Sequence, residues 1–420
     1  MPMSDDFSTR LSNALPQIAE HFGTPFHIYD EKGIRETAKL LYETFAGVTN
    51  FREYFAVKAL PNLSILKIMN DVGFGFDCSS ITELILSRRA GGRGNDIMFT
   101  SNNTSPDDFN VASSDGGCIL NLDDISLLDK VPDMPELLSF RYNPGDRRTV
   151  SNGIIGEPLE AKYGVSHEQL IDAYKKAKEM GVKEFGLHAM LASNELNYKF
   201  MVETTQMLLN LVKVLKEKAD VTIKFINIGG GLGIPYKPED APLDIKKMGE
   251  EITEIYTDLK KNGVEAPDFI MESGRFVTGP HGVLVAKAIN FKKIYRNYIG
   301  VDASMADLMR PGMYGAYHHV TVHGKEHLTH DQKIDIVGSL CENNDKFAVG
   351  RMLPEIKDGD LIVIHDTGAH GHAMGFNYNG KLRPQELLLK EDGSVELIRR
   401  KETEEDYFAT LNFEKNTLSL

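Results

Sequence analysis

From about residue 50 the chain alternates short apolar, β-prone runs with longer stretches whose apolar positions recur at helical spacing. The runs are Glu53–Val57, Gly75–Cys78, Ile97–Thr100, Cys118–Asn121, Leu138–Tyr142, Phe185–Met190, Thr222–Ile228 and Asp268–Glu272. Between them lie amphipathic stretches such as Asn62–Asn70, Ser79–Arg89, Ser166–Met180, Leu196–Ala219 and Ile245–Lys261. Apolar strands alternating with helices predict a parallel sheet covered by helices. Eight such repeats over roughly 225 residues fit a (β/α)8 barrel. An open doubly wound sheet would bring an early G-x-G-x-x-G, which is absent.

After about residue 284 the rhythm changes. HGVLVAKAINFKKIY, NYIGVD, KIDIVGSL, DLIVIHD and SVELIRR read as strands joined by turns, which predicts a second, all-β C-terminal domain. One strand, Pro25–Tyr29, precedes the barrel and is expected to pair with this later domain. The expected domains are therefore a barrel over 46–284 and a β-rich domain built from 1–45 plus 285–420.

Composition narrows the partners. With 47 Lys+Arg against 61 Asp+Glu, the net charge of −14 argues against nucleic acid or an anionic membrane surface. No apolar run approaches the ~20 residues of a membrane span, and MPMSDDF lacks the features of a signal peptide. Three dispersed cysteines (Cys78, Cys118, Cys341) give neither a disulfide framework nor zinc spacing. A reduced, cytoplasmic protein is the expectation.

In such a barrel the active site lies at the C-terminal ends of the strands, and three features fall there. Lys58 directly follows the first run; desolvation there would lower its pKa and favour a nucleophilic neutral amine, although a lysine snorkelling to the mouth fits the position too. Gly229-Gly230-Gly231-Leu232-Gly233 follows the seventh run, where backbone N–H groups can wrap a phosphate; a tight turn is the alternative. Glu272 ends the eighth run in MESGR, where it could face a cationic ring nitrogen or form an ion pair with Arg275. An amine, a phosphate cradle and a carboxylate around one mouth are what pyridoxal 5′-phosphate requires.

Read in order from about Pro25 to Asn379, the motifs resemble those of the fold-type III pyridoxal-phosphate decarboxylases, most closely their diaminopimelate branch. YFAVKALPN is similar to the family's cofactor-lysine segment, which makes Lys58 the lysine that holds the aldehyde. GFGFDCSSITEL, EAKYG (Glu160–Gly164) and FINIGGGLGIPY also match. ESGR resembles Glu-Pro-Gly-Arg, implying Glu272 at the pyridine nitrogen, Ser273 and Gly274 beside the cofactor, and Arg275 facing substrate. DLMRPGMYGAYH implies that Arg310 and Tyr314 hold the far end of the substrate. LCENND resembles Cys-Glu-Ser-x-Asp, implying Cys341 as proton donor and Glu342 as ligand of the distal ammonium; GFNYN implies that Tyr378 contacts phosphate and substrate.

The chain departs from the pattern around one site. HAMLASN puts Met190 where the family stacks a histidine on the cofactor, and Ala192 at a glycine, keeping Ser193 for the phosphate. Ser273 replaces a proline, and His370 stands where the family has tyrosine. The resemblance implies decarboxylation of meso-2,6-diaminopimelate to L-lysine and CO2, and a homodimer with active sites at the interface. Another basic amino acid (ornithine, arginine or carboxynorspermidine) and a non-catalytic cofactor-binding relative are the alternatives. His318, His319, His323, His327 and His330 suggest a metal only weakly, because HHVTVHG reads as strand or loop and no carboxylate cluster accompanies it.

Overall fold

The computed structural model describes residues 2–148, 157–411, 413, 414 and 418. The chain divides into two compact units, Ile34–Gly279 and Met1–Gly33 with Pro280–Leu420. After an N-terminal strand β1 (Phe26–Asp30), eight strands close a parallel barrel: β2 (Arg52–Ala56), β3 (Gly75–Cys78), β4 (Gly94–Phe99), β5 (Cys118–Leu122), β6 (Leu137–Arg141), β7 (Glu184–His188), β8 (Ile223–Asn227) and β9 (Asp268–Met271). Closure is made by β2 against β9, through Arg52↔Ile270 and Glu53↔Met271.

The helices begin where side chains satisfy their free N–H groups. Asn62, Ser80 and Asp244 cap Leu63–Asp71, Ile81–Ala90 and Ile245–Lys261. One short helix, Pro106–Ser113, goes unread in the sequence because it buries only Phe109 and Ala112; its capping box of Ser105 and Asp108 is the signal that remained.

The barrel interior follows from the period of two. Tyr54, Met98, Ile119, Leu137, Phe225 and Ile270 form one buried apolar cluster. Gly186 lies in the same layer because a Cβ there would sit 2.1 Å from the Phe225 ring. Two or four residues further along each strand the same face reaches the C-terminal mouth. The side chains there are polar.

The second unit carries β10 (Gly282–Lys293), β11 (Asn297–Val301), β12 (Val320–Val322), β13 (Gln332–Val337), β14 (Lys346–Leu353), β15 (Leu361–Ile364), β16 (Gln385–Leu389) and β17 (Val395–Arg399). The sheet order is β14-β13-β11-β10-β1-β16-β17, with β15 pairing β10 and β12. The N-terminal strand lies antiparallel to β10 and parallel to β16, as its expected pairing with the later domain requires. A helix absent from the sequence reading, Asp5–Phe22, lays Phe7, Leu11, Leu15 and Ile18 on this sheet against Phe26, Ile28, Val283, Val285 and Leu387. Pro16 lies inside it, and an interior proline, costing a helix about 3 kcal/mol, masks the pattern. No described helix is long and apolar enough to cross a membrane.

Candidate active site

All eight barrel strands deliver a polar side chain to the mouth: Lys58, Asp77, Thr100, Asn121, Arg141, His188, Asn227 and Glu272. Lys58 lies in the 3-10 turn after β2, its Nζ 3.4 Å from Asp77 Oδ2. Thr100 donates its hydroxyl proton to Asp77 Oδ1 (2.9 Å), so its oxygen accepts from Asn121 Nδ2 (3.2 Å). The other Asn121 N–H meets His188 Nδ1 at 2.7 Å. That makes Nδ1 the acceptor and leaves the ring proton on Nε2, which faces Glu272 Oε1 at 3.6 Å. Glu272 Oε1 accepts from Asn227 Nδ2 at 2.6 Å, and Asn227 Oδ1 accepts the Gly229 N–H at 2.8 Å. Arg141 stands 3.6 Å from Asp123, its guanidinium over the Tyr163 ring.

The electrostatics correct one expectation. Desolvation does lower the Lys58 pKa, but the charges of Asp77, Glu272 and Glu83 outweigh it, and the net shift is upward. Lys58 is about half exposed, so water moderates the desolvation. Burial raises Glu272 against the pull of Lys58, Asn227 and Arg141. Burial, reinforced by Arg141, lowers His188 to about 3 and keeps its ring neutral.

The glycine turn is built for close approach. Gly229 and Gly231 have φ of +72° and +98°. A Cβ would lie 2.7 Å from Ala189 O at Gly229, 2.3 Å from Glu272 O at Gly230 and 2.5 Å from Ala192 O at Gly231. Ser193 lies on the neighbouring loop, which is cross-tied to the turn through Glu195 N–Gly231 O (2.8 Å) and Gly233 N–Glu195 O (2.9 Å). Met190 Sδ takes the Gly230 N–H at 3.2 Å, a weak acceptor that a phosphate oxygen would outcompete. After Glu272, Ser273 gives its N–H to buried Glu53, a bond that proline could not make. Gly274 starts a short helix whose first turn packs on the Lys58 turn, a Cβ there falling 2.7 Å from Ala59 Cβ. Arg275 donates from Nη1 to Tyr236 OH at 2.7 Å.

This mouth fits pyridoxal 5′-phosphate. It offers an amine at Lys58, a turn whose N–H groups no Cβ screens, and a carboxylate held by its Oε1. Buried polar atoms without a hydrogen-bond partner gather nearby, among them Asn121 Oδ1, His188 Nε2 and Ser273 Oγ. Such orphans mark sites that take a polar ligand.

The remaining candidates lie in the second unit, where three segments are tied together. Arg310 is buried in the helix Arg310–Tyr314, its Nη1 2.9 Å from His318 Nε2. His318 Nδ1 meets His365 O at 2.7 Å, so Nδ1 is the donor and Nε2 accepts from Arg310. Asn344 of the cysteine loop donates to Gly312 O at 3.1 Å, and the Cys341 N–H donates to Asn379 Oδ1 at 2.7 Å. Asp345 anchors the same loop by accepting from Leu340 N (2.8 Å) and Met305 N (2.6 Å). Tyr314, Cys341, Glu342 and Tyr378 are exposed on this cluster. The histidine-rich segment enters β12, and among the described residues no three His, Cys, Asp or Glu side chains are grouped to hold a metal. Cys78 ends β3 and Cys118 opens β5; burial pushes both thiols up, Cys118 to about 12.

Of the mouth residues, the sequence reading singled out only Lys58 and Glu272. Asp77, Thr100, Asn121, Arg141, His188 and Asn227 carried one legible signal, a polar residue closing an apolar run two or four positions beyond an inward apolar one.

The pyridoxal-binding domain family of the pyridoxal-dependent decarboxylases matches residues 31–279. The chain is 42% identical over 414 residues to Protein TabA of Pseudomonas amygdali pv. tabaci, covering 99% of this chain and 97% of that protein. It is 35% identical to a diaminopimelate decarboxylase of Methanothermobacter thermautotrophicus, covering 93% of this chain and 92% of the relative. The crystal structure of diaminopimelate decarboxylase from M. jannaschii in complex with L-lysine superposes with a TM-score of 0.87 at 29% identity, covering 95% of this chain and 94% of that one. The chain therefore belongs to the pyridoxal-phosphate-dependent decarboxylases that act on amino acids of the ornithine, arginine and diaminopimelate group.

Proposed function

We propose that the substrate is meso-2,6-diaminopimelate and the products L-lysine and CO2. Pyridoxal phosphate, once bound, supplies the electron sink for the pair left behind when an α-carboxylate departs. Lys58 would hold the cofactor's aldehyde carbon, and Asp77, 3.4 Å from Nζ, would pair with the ammonium of Lys58 once the substrate amine has taken its place. The Gly229–Gly231 turn and Ser193 bind phosphate, joined by the N–H groups of Gly274 and Arg275 and by the Tyr378 hydroxyl. Glu272, whose Oε1 already accepts from Asn227, would hold a proton on the ring nitrogen with its other oxygen. Cys341 delivers a proton to the carbon that CO2 leaves.

The distal end sets the substrate. Diaminopimelate carries a second ammonium and a second carboxylate; ornithine and lysine lack that carboxylate. Arg310 and Arg275 take the carboxylate by bidentate bonds, Glu342 takes the ammonium, and Tyr314 lies beside them. The observation that carries this reading is Arg310, a buried guanidinium whose Nη1 is oriented by His318 Nε2 at 2.9 Å. The cysteine loop serves the site of a second copy, making a homodimer the working unit. No nucleic acid or membrane enters this scheme, which belongs to the cytoplasm.

One observation favours a second reading, a related amino acid other than diaminopimelate. The relative at 42% identity is named TabA, while three diaminopimelate decarboxylases lie at 31–35%. The test is CO2 release from meso-diaminopimelate, lysine, ornithine, arginine and carboxynorspermidine. Preference for diaminopimelate, with a steep KM rise in Arg310→Ala and intact cofactor absorbance, supports the first reading. Turnover of another amino acid alone supports the second.

A further inference from the structure

Asn227 ends β8 fully buried, and every polar atom of its side chain is engaged. Oδ1 accepts the Gly229 N–H at 2.8 Å, while Nδ2 donates to Glu272 Oε1 at 2.6 Å and reaches Met98 Sδ at 3.3 Å. The backbone repeats the link, with the Glu272 N–H on Gly229 O at 2.9 Å. One amide therefore spans two loops, the glycine turn after β8 and the carboxylate after β9.

We propose that Asn227 is a positioning residue that locks the glycine turn to Glu272, fixing the spacing between the group that grips the phosphate and the group that serves the ring nitrogen. Two rigidly spaced anchors bind a rigid cofactor without the entropy of ordering either loop on arrival. Asn227 engages Oε1 alone among the two carboxylate oxygens, which leaves Oε2 for the ring nitrogen. The proposal rests on the reading of Glu272 and the glycine turn given above, and the test separates the two.

Two substitutions divide the links. Asn227→Ala removes both, and should weaken binding of pyridoxal phosphate to the apoprotein and lower kcat, each by about 10- to 100-fold, the range that losing a charge-assisted hydrogen bond spans. Asn227→Asp keeps the acceptor for Gly229, so cofactor affinity stays near wild type. Its bond to Glu272 survives only while the two carboxyls share a proton. Turnover and the cofactor absorbance band should therefore fall off as pH rises in Asn227→Asp, while the wild type lacks that limb. The other groups facing Glu272 (Lys58, Arg141, Asp77, Glu53 and His188) are common to both proteins. A folded Asn227→Ala with wild-type affinity and kcat, or an Asn227→Asp whose pH profile superposes on the wild type, overturns the proposal. Glu272→Gln is the control. If it is crippled while the Asn227 variants are not, the positioning role alone falls; if it keeps wild-type turnover, the Glu272 reading falls and takes this proposal with it.

Discussion

Two buried glutamates, one in each unit, sit in opposite electrostatic states. Glu272 at the barrel mouth is 5% exposed, and Glu386 on β16 is 1% exposed. Burial pushes both upward. At Glu386, His372, Arg399 and Tyr29 more than reverse it, and the carboxyl falls to about 2. His372 is itself neutral above about pH 3, so at neutral pH the Arg399 guanidinium and the Tyr29 hydroxyl, 2.7 Å from Oε1, hold the charge. At Glu272, Lys58, Asn227 and Arg141 do not offset burial, and the pKa stays raised. A carboxylate whose partners are complete is structural. One left under-satisfied at a cavity mouth is prepared for a charge that arrives with a ligand.

That contrast can be broken by parallel substitutions. Glu272→Gln should lower kcat by about 10²-fold or more, the usual loss when a charge aimed at the reacting system is removed. It should leave the melting temperature of the apoprotein unchanged or slightly raised, because a neutral amide relieves a buried, disfavoured charge. Glu386→Gln should do the reverse, leaving kcat of the folded enzyme intact while costing stability. The shift from 4.5 to about 2 sets an upper bound of about 3 kcal/mol at 1.36 kcal/mol per unit, and the cost at pH 7 is smaller because His372, one of its causes, is neutral there. Denaturant unfolding of the two variants side by side checks both signs.

The pH dependence sharpens the comparison. The folded pKa of Glu386 lies below its unfolded value, so its stabilisation is complete above pH 4.5 and disappears as pH falls toward 2. Unfolding at pH 7, 5 and 3 should show the gap between wild type and Glu386→Gln closing over that window; a constant gap would place the charge elsewhere. The smallest effect belongs to Tyr29→Phe, which removes one hydroxyl from Glu386 and should cost about 1 to 2 kcal/mol.

How much of this was legible depended on what each residue type reveals locally. The barrel strands could be read because inward and outward positions are both apolar, which marks a covered parallel strand. Lys58, the glycines and Glu272 stood out as abrupt exceptions directly after such runs. Asn121, His188 and Asn227 did not, because a single amide or imidazole at a strand end also suits a turn. Their roles depend on neighbours 67 positions away, for Asn121 and His188, and 45 away, for Asn227 and Glu272. The direction of the Lys58 shift was beyond the sequence for the same reason. Burial is visible in an apolar run, but the carboxylates of Asp77, Glu83 and Glu272 converge on that amine only once the barrel closes. The helix Asp5–Phe22 was hidden by Pro16, although its apolar residues keep the spacing that seats them on the sheet.

The most direct test of the account is reductive trapping. The protein loaded with pyridoxal phosphate is treated with borohydride, digested, and mapped by mass spectrometry. The account predicts a single phosphopyridoxyl label on the peptide containing Lys58, and none in Lys58→Ala. A label on a different lysine, or no label on protein whose cofactor binding is verified by absorbance, would contradict it.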